Sequence, residues 1–264
     1  MKEKIKDYLY LQKVLFPFYF KTRVISIRTI ICIFLSLIPL FYTLISIDAI
    51  TRSHIIVNQI ILDNEIFWSG FIGATFFSLY FLMIPVIIAA DIVSGEFSNK
   101  TAMVLYSTVS RYKVLLSKIM FLVVYLLIFL LIPLISFGIM SLIMFNLTVS
   151  MNILINGFFL VLVSSIFILS LTFTFSALTR SSIISFLIPF LYISFEPVFE
   201  LFNVEFLSYS YFRKNIYSFL QNIFFNESFI VNDLVLSFIV FFGAPIIVFI
   251  ITFYGFKRLD IRTN

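Results

Sequence analysis

The chain has 264 residues, 62% of them hydrophobic and 12% charged, with a formal net charge of +5. A soluble domain of this size carries about a quarter charged residues, so the composition excludes a water-soluble globule and places the chain in a bilayer. A single cysteine, Cys32, and a single histidine, His54, leave no disulfide framework, no Cys-based metal site and little scope for His-dependent catalysis.

The first 28 residues hold Lys2, Lys4, Lys6, Lys13, Lys21, Arg23 and Arg28. A short basic tip directly before an apolar core and small residues at a cleavage point are missing, so no cleaved signal is expected. Tyr8, Leu11, Leu15 and Phe18 recur at helical spacing, which predicts an interfacial helix over about residues 3–20 before Pro17 turns the chain. Six stretches are long and apolar enough to cross the ~30 Å hydrocarbon core. They run at about 25–47, 69–90, 119–145, 153–178, 183–202 and 233–255. Pro39, Pro85, Pro133, Pro189 and Pro245 lie inside five of them and are expected to mark kinks, since neighbouring groups in a membrane helix satisfy the freed carbonyls.

The fold class is therefore all-α, a single polytopic membrane domain over residues 1–264 with six transmembrane helices. Lys and Arg set its orientation, because short loops rich in them stay in the cytoplasm. With both termini inside, 15 of the 18 Lys and Arg residues face the cytoplasm; only Arg52, Arg213 and Lys214 lie in outer loops. The positive charge is accordingly a topology signal and gives no reason to invoke nucleic acid. A multi-pass protein of the cell membrane is expected.

Residues 91–118, DIVSGEFSNKTAMVLYSTVSRYKVLLSK, form a polar island between spans two and three, on the cytoplasmic side in this orientation. Gly95 is expected to interrupt the helix leaving span two, and Ser98 or Asn99 to cap a new one. From there Ala102, Leu105, Tyr106, Val109, Tyr112 and Leu116 follow one helical face. An amphipathic helix of this kind lies on headgroups or inserts into a groove on a partner, and periodicity does not choose between them.

The order of residues in the island resembles the first cytoplasmic loop of type-2 ABC exporter permeases. There an acidic residue precedes a Gly-Thr pair, a Leu pair, a Pro-Ser-Arg-like step and a Gly-Lys at the start of span three. Here the corresponding residues are Glu96, Lys100 with Thr101, Leu105 with Tyr106, Val109 with Ser110 and Arg111, and Ser117 with Lys118. Lys100 stands for Gly, Val109 for Pro and Ser117 for Gly. The chain is also similar to these permeases in its length, its six spans, its basic N-terminal helix, and its long outer segment between spans five and six. Its ending, Tyr254 to Arg262, resembles theirs as well.

The resemblance implies a transport subunit with no engine of its own. Two permease chains would pair, as a homodimer or heterodimer, and ABC ATPase subunits would dock at the 91–118 loop. A coupling helix in that loop would carry ATP-driven closure into the spans. Glu96, Thr101, Leu105, Tyr106, Ser110, Arg111 and Lys118 are the expected coupling residues. No G-x-x-x-x-G-K-[ST] phosphate loop occurs in the sequence, so ATP and magnesium are expected on the partner and no cofactor or metal in this chain. A positively charged inner loop that only fixes topology is the plain alternative for the same residues.

Glu196 and Glu200 are four residues apart near the outer end of span five, and acids at such depth are costly. Glu196 is a candidate outer gate or substrate contact. The hydroxyls of Ser164, Ser165, Ser170, Thr172, Thr174, Ser176 and Thr179 run through span four; such groups usually bond back to the backbone or across a helix interface, and a wall of a translocation path is the functional alternative. An intramembrane enzyme lacks the clustered catalytic groups it needs, with no Lys or His expected inside a span. The alternative to an ATP-driven permease is a stand-alone secondary transporter or channel.

Overall fold

A computed structural model describes residues 17–20, 26–55, 79–145, 151–202, 204, 206, 208–225 and 234–259. The expected interfacial helix therefore lies almost entirely outside the described residues; residues 17–20 are helical rather than a turn at Pro17. In chain order the described elements are α1 (Ile27–Ile55), α2 (Leu79–Ala89), α3 (Ser94–Ser98), α4 (Ala102–Thr108), α5 (Arg111–Phe145), α6 (Met151–Thr179), α7 (Ser182–Leu201), α8 (Tyr209–Phe225) and α9 (Leu234–Arg258). All are helices, as an apolar environment requires of backbone groups that have no water to bond.

Among the described residues five stretches are long and apolar enough to cross a membrane: Phe81–Ser98, Arg111–Ile139, Ile155–Thr179, Ser182–Phe199 and Leu234–Arg258; residues 69–78 of the expected second span lie outside the described residues. Ile27–Tyr42 is a shorter apolar stretch within α1. The protein is thus a polytopic, membrane-embedded helical protein. Helices run through Pro39, Pro85, Pro133, Pro189 and Pro245, as expected, and also through Pro197.

α6 is the centre of the bundle, packed against α9, α7 and α2, while α1 lies against α2 and α5. Its hydroxyls explain how a central helix tolerates so many polar side chains. Ser170, Thr172, Thr174 and Thr179 each donate to a carbonyl three or four residues back, and Thr174 also meets Thr252 of α9 at 2.5 Å. The backbone-bonding expectation holds for these four. Small side chains also let α9 approach closely: a Cβ on Gly255 would lie 2.8 Å from Leu178 Cδ2.

Three boundaries differ from the sequence expectation. α2 ends at Ala89, within a residue of the expected end of span two, but the chain turns at residues 90–93 and Gly95 lies inside α3, its N–H donating to the Asp91 carbonyl. The amphipathic helix does not continue to Leu116, because Val109 adopts an extended conformation (φ −124°, ψ 142°) and separates α4 from α5. Tyr112 is consequently exposed instead of sharing the buried face of Ala102 and Tyr106. α5 starts at Arg111, eight residues before the expected start of the third span, and its 35 residues extend to about 52 Å, well beyond the hydrocarbon core.

The long segment after α7, expected as an outer loop, contains the 17-residue helix α8, which packs on α9, α6 and α7.

Candidate functional site

The polar residues gather at two places, one around Glu96 and one around Glu196. At the first, α3 begins after Val93, which has no side chain to cap the helix's free N–H groups. Ser176 of α6 takes that role: its Oγ accepts from the Val93 and Ser94 N–H groups at 3.2 and 3.1 Å. Ser94 Oγ in turn lies 2.8 Å from Ser182 Oγ at the start of α7. The short helix α3 is thereby tied to both α6 and α7 through hydroxyls.

Glu96 projects from α3 into a pair of tyrosines and a lysine. Its Oε2 lies 2.5 Å from Lys118 Nζ and accepts from Tyr106 Oη at 2.9 Å, and its Oε1 accepts from Tyr19 Oη at 3.5 Å. Lys118 is fully buried, two turns into α5; it also donates to the Ile92 carbonyl at 2.7 Å and sits 5.8 Å from the ring centroids of both Tyr19 and Tyr106. Burial first, and then the Glu96 carboxylate beside it, push the Tyr106 phenol well above its ordinary range, so it remains a protonated donor. This overturns the expectation that no lysine lies inside a span, since Lys118 falls within the apolar stretch Arg111–Ile139.

Arg111 reaches a different partner. Its Nη1 donates to the carbonyls of Leu259 at 2.7 Å, Lys257 at 3.2 Å and Phe256 at 3.5 Å, at the end of α9. The carbonyls that end a helix lack intrahelical donors and carry its negative dipole end, so a guanidinium satisfies both needs. Thr101 bonds through its N–H and Oγ1 to the Glu96 carbonyl, at 2.9 and 3.3 Å, and closes the α3–α4 turn. Ser110 is exposed and its carbonyl accepts the Lys113 and Val114 N–H groups in the first turn of α5. Leu105 packs against the core. Arg180, between α6 and α7, stands 4.9 Å above the Phe97 ring.

Among the sequence-predicted coupling residues, Glu96, Tyr106 and Lys118 meet in one cluster, with Thr101 bonded to the Glu96 backbone. Arg111 joins α5 to α9. These residues brace the α3–α4 turn from within; they do not form its outer face. The outer face carries Met103 and Val104, 46% and 68% exposed, together with Lys100. The helical spacing that found Ala102 and Tyr106 contained this signal, because the residues between them must point away.

Lys100 sits at φ 58°, in the left-handed region where a side chain costs roughly 1–2 kcal/mol. Replacing it with glycine is expected to raise stability by about 0.5–1 kcal/mol, the relief of strain less the extra chain entropy of glycine. Thermal unfolding in detergent checks this, and an unchanged or lower midpoint would show that the turn holds Lys100 without strain.

At the second place, Glu196 of α7 meets α8. Glu196 Oε1 accepts the Ser210 N–H at 3.2 Å, and Oε2 lies 3.4 Å from Arg213 Nη2; both side chains are buried. Arg213 Nη1 donates to Ser164 Oγ of α6 at 3.3 Å, and the Tyr192 hydroxyl accepts the Tyr209 N–H at 3.0 Å. α7 thus caps the first turn of α8. The carboxylate proposed from sequence as a gate or substrate contact is engaged by α8 here, and Arg213, expected in a loop, is a buried helical residue.

Comparisons with family models, curated proteins and solved structures return no match for this chain. Among the described residues no group of three His, Cys, Asp or Glu side chains is placed to hold a metal ion.

Proposed function

We propose that the chain is the membrane subunit of an ATP-driven exporter of the type-2 ABC class, with α1 as a sixth span and both termini in the cytoplasm of a cell-membrane protein. The observation that carries this reading is the brace under α3 and α4. The turn presents an exposed apolar face at Met103 and Val104, while its other side is joined to α5 through Glu96–Lys118 and to α6 through Ser176. Arg111, just past the turn, fastens α5 to the end of α9. A push on α4 would therefore reach three long helices through short polar contacts, which is what a mechanical coupling element needs.

The left-handed backbone of Lys100 adds support. The resembled family has glycine at this place, and glycine adopts that conformation without cost. Similarly, Val109 leaves helical geometry where the family carries proline. The chemistry would reside in partner ATPases holding ATP and magnesium, and two permease chains would form the pathway. Glu96, Thr101, Tyr106, Arg111 and Lys118 would act by holding the coupling element in place.

Arg111→Glu tests the coupling role. In the reconstituted complex the variant is expected to insert and retain its ATPase, while the ATPase rate loses its dependence on the permease. Unchanged permease-dependent hydrolysis would remove Arg111 from the coupling path.

A further inference from the structure

A cleft of about 360 Å³ opens between α1, α2 and α7, lined by Arg28, Ile87, Ala90, Asp91, Ile183 and Phe186 together with Ser182 and Leu187. It lies at the Glu96 end of the bundle and shares Ser182 with the contacts that hold α3 and α4. It is an open cleft with room for more than a single bridging water.

The lining is graded along the helices. Arg28 and Asp91, which form an ion pair, stand where α1 begins and just beyond the end of α2. Ile87 is one turn deeper, about 6 Å below Asp91, and Phe186 and Leu187 are correspondingly deeper along α7. A charged mouth above an apolar floor, in a protein embedded in a membrane, fits a ligand with a polar head and a hydrocarbon root. A wholly polar solute would leave the apolar walls wet, and a wholly apolar one would strip water from the ion pair.

The sign of the head follows from which ion is open. The Arg28 side chain is 46% exposed and that of Asp91 15%, so an approaching head meets the cation first. A guanidinium offers five N–H donors in a planar fork, and a single carboxylate does not occupy them all. Phosphate oxygens match that fork in pairs. Ile183, 75% exposed at the rim, leaves the cleft open to the outside of the bundle, where a ligand's hydrocarbon part could enter from a bilayer.

We infer that the Arg28–Asp91 cleft binds the phosphodiester head of an anionic phospholipid, with the first part of an acyl chain against Ile87, Ile183, Phe186 and Leu187. The head adds to Arg28 while Asp91 remains its competitor for the same guanidinium. This inference does not rest on the export reading and stands whether or not an ATPase docks.

The test follows thermal unfolding of the purified full-length protein in a neutral detergent during titration with short-chain phosphatidylglycerol, the matching diacylglycerol, or inorganic phosphate. The expected result is a saturable rise with phosphatidylglycerol and none with the other two at equal concentration. Arg28→Gln should weaken the response at least tenfold. Asp91→Asn should preserve or strengthen it, because it removes the competing carboxylate, a direction that a merely structural ion pair would not produce. Ile183→Trp, at the exposed rim, should weaken it about fivefold and decides the matter if the charge variants do not fold. An equal rise with diacylglycerol would overturn the phosphate contact, and an equal rise with inorganic phosphate would overturn the lipid source. A phosphatidylglycerol response unchanged in Arg28→Gln or Ile183→Trp, or lost alike in both charge variants, would overturn the site.

Discussion

Lys118→Met should destabilise the protein by about 3–5 kcal/mol, because it leaves the Glu96 carboxylate largely buried with its cation removed. Two tyrosine hydroxyls would still bond the carboxylate, but neither carries charge. Glu96→Gln should be nearly as costly, since it takes the carboxylate away from a fully buried ammonium and leaves it neutral acceptors such as the Ile92 carbonyl and the Tyr106 hydroxyl. The double variant, with methionine and glutamine, contains no buried charge and should recover much of the loss, giving a coupling energy of more than about 1 kcal/mol in a double-mutant cycle. Unfolding in detergent measures all four species. Additive losses of less than about 1 kcal/mol each would mean that the pair behaves as a solvated one.

Arg213→Met acts at the other end. It takes the guanidinium away from the buried Glu196 carboxylate, and it removes the contact to Ser164 that holds α8 on α6. The 3.4 Å separation is longer than the 2.7–2.9 Å typical of a strong charge-assisted bond, so the loss should fall toward the lower end of about 3–5 kcal/mol. The effect should also be local. Amide exchange across Tyr209–Phe225 is expected to accelerate, while the amides of α3 and α4 keep their protection. Equal acceleration at both ends would show that α8 is not a separately latched element. In an exporter, release of this latch would disturb transport without touching the coupling surface.

The two clusters differ in how far sequence reveals them. Each apolar run of about twenty residues must become a helix in lipid, and for that reason the helical, membrane-embedded character of the chain and the prolines within its helices were readable. The burial of Ala102 and Tyr106 also followed from spacing. Lys118 did not, because a lysine at the edge of an apolar run looks like the end of a span; its burial depends on Glu96, 22 positions earlier, being folded onto it. Likewise Arg213 and Lys214 gave the segment after α7 the appearance of a loop. The helix α8 is amphipathic, and its caps, Tyr192 and Glu196, belong to another helix. Ser176 was visible only as one hydroxyl among several in α6, since its role depends on Val93 lacking a capping side chain. The left-handed Lys100 breaks a local preference, and such breaks are legible only beside a sequence that keeps the glycine.

These contacts also separate the residues that support the α3–α4 turn from those that would meet a partner. Substitutions at Glu96, Tyr106 or Lys118 alter stability first and any coupling through it. Met103 and Val104 are exposed, and changes there should leave stability within about 0.5 kcal/mol. A partner's grip is therefore best probed at Val104.

Site-directed cross-linking from Val104→Cys in native membranes tests the central claim most directly, with Ile139→Cys, exposed along the apolar length of α5, as the control. The account predicts that Val104→Cys captures a subunit whose peptides include a nucleotide-binding phosphate loop, that hydrolysis-blocking conditions with ATP increase its yield, and that Ile139→Cys does not capture it. If Val104→Cys captures no ATPase under those conditions, while the chain remains folded and inserted, the α3–α4 turn is not an ATPase-coupling surface and the exporter reading is contradicted.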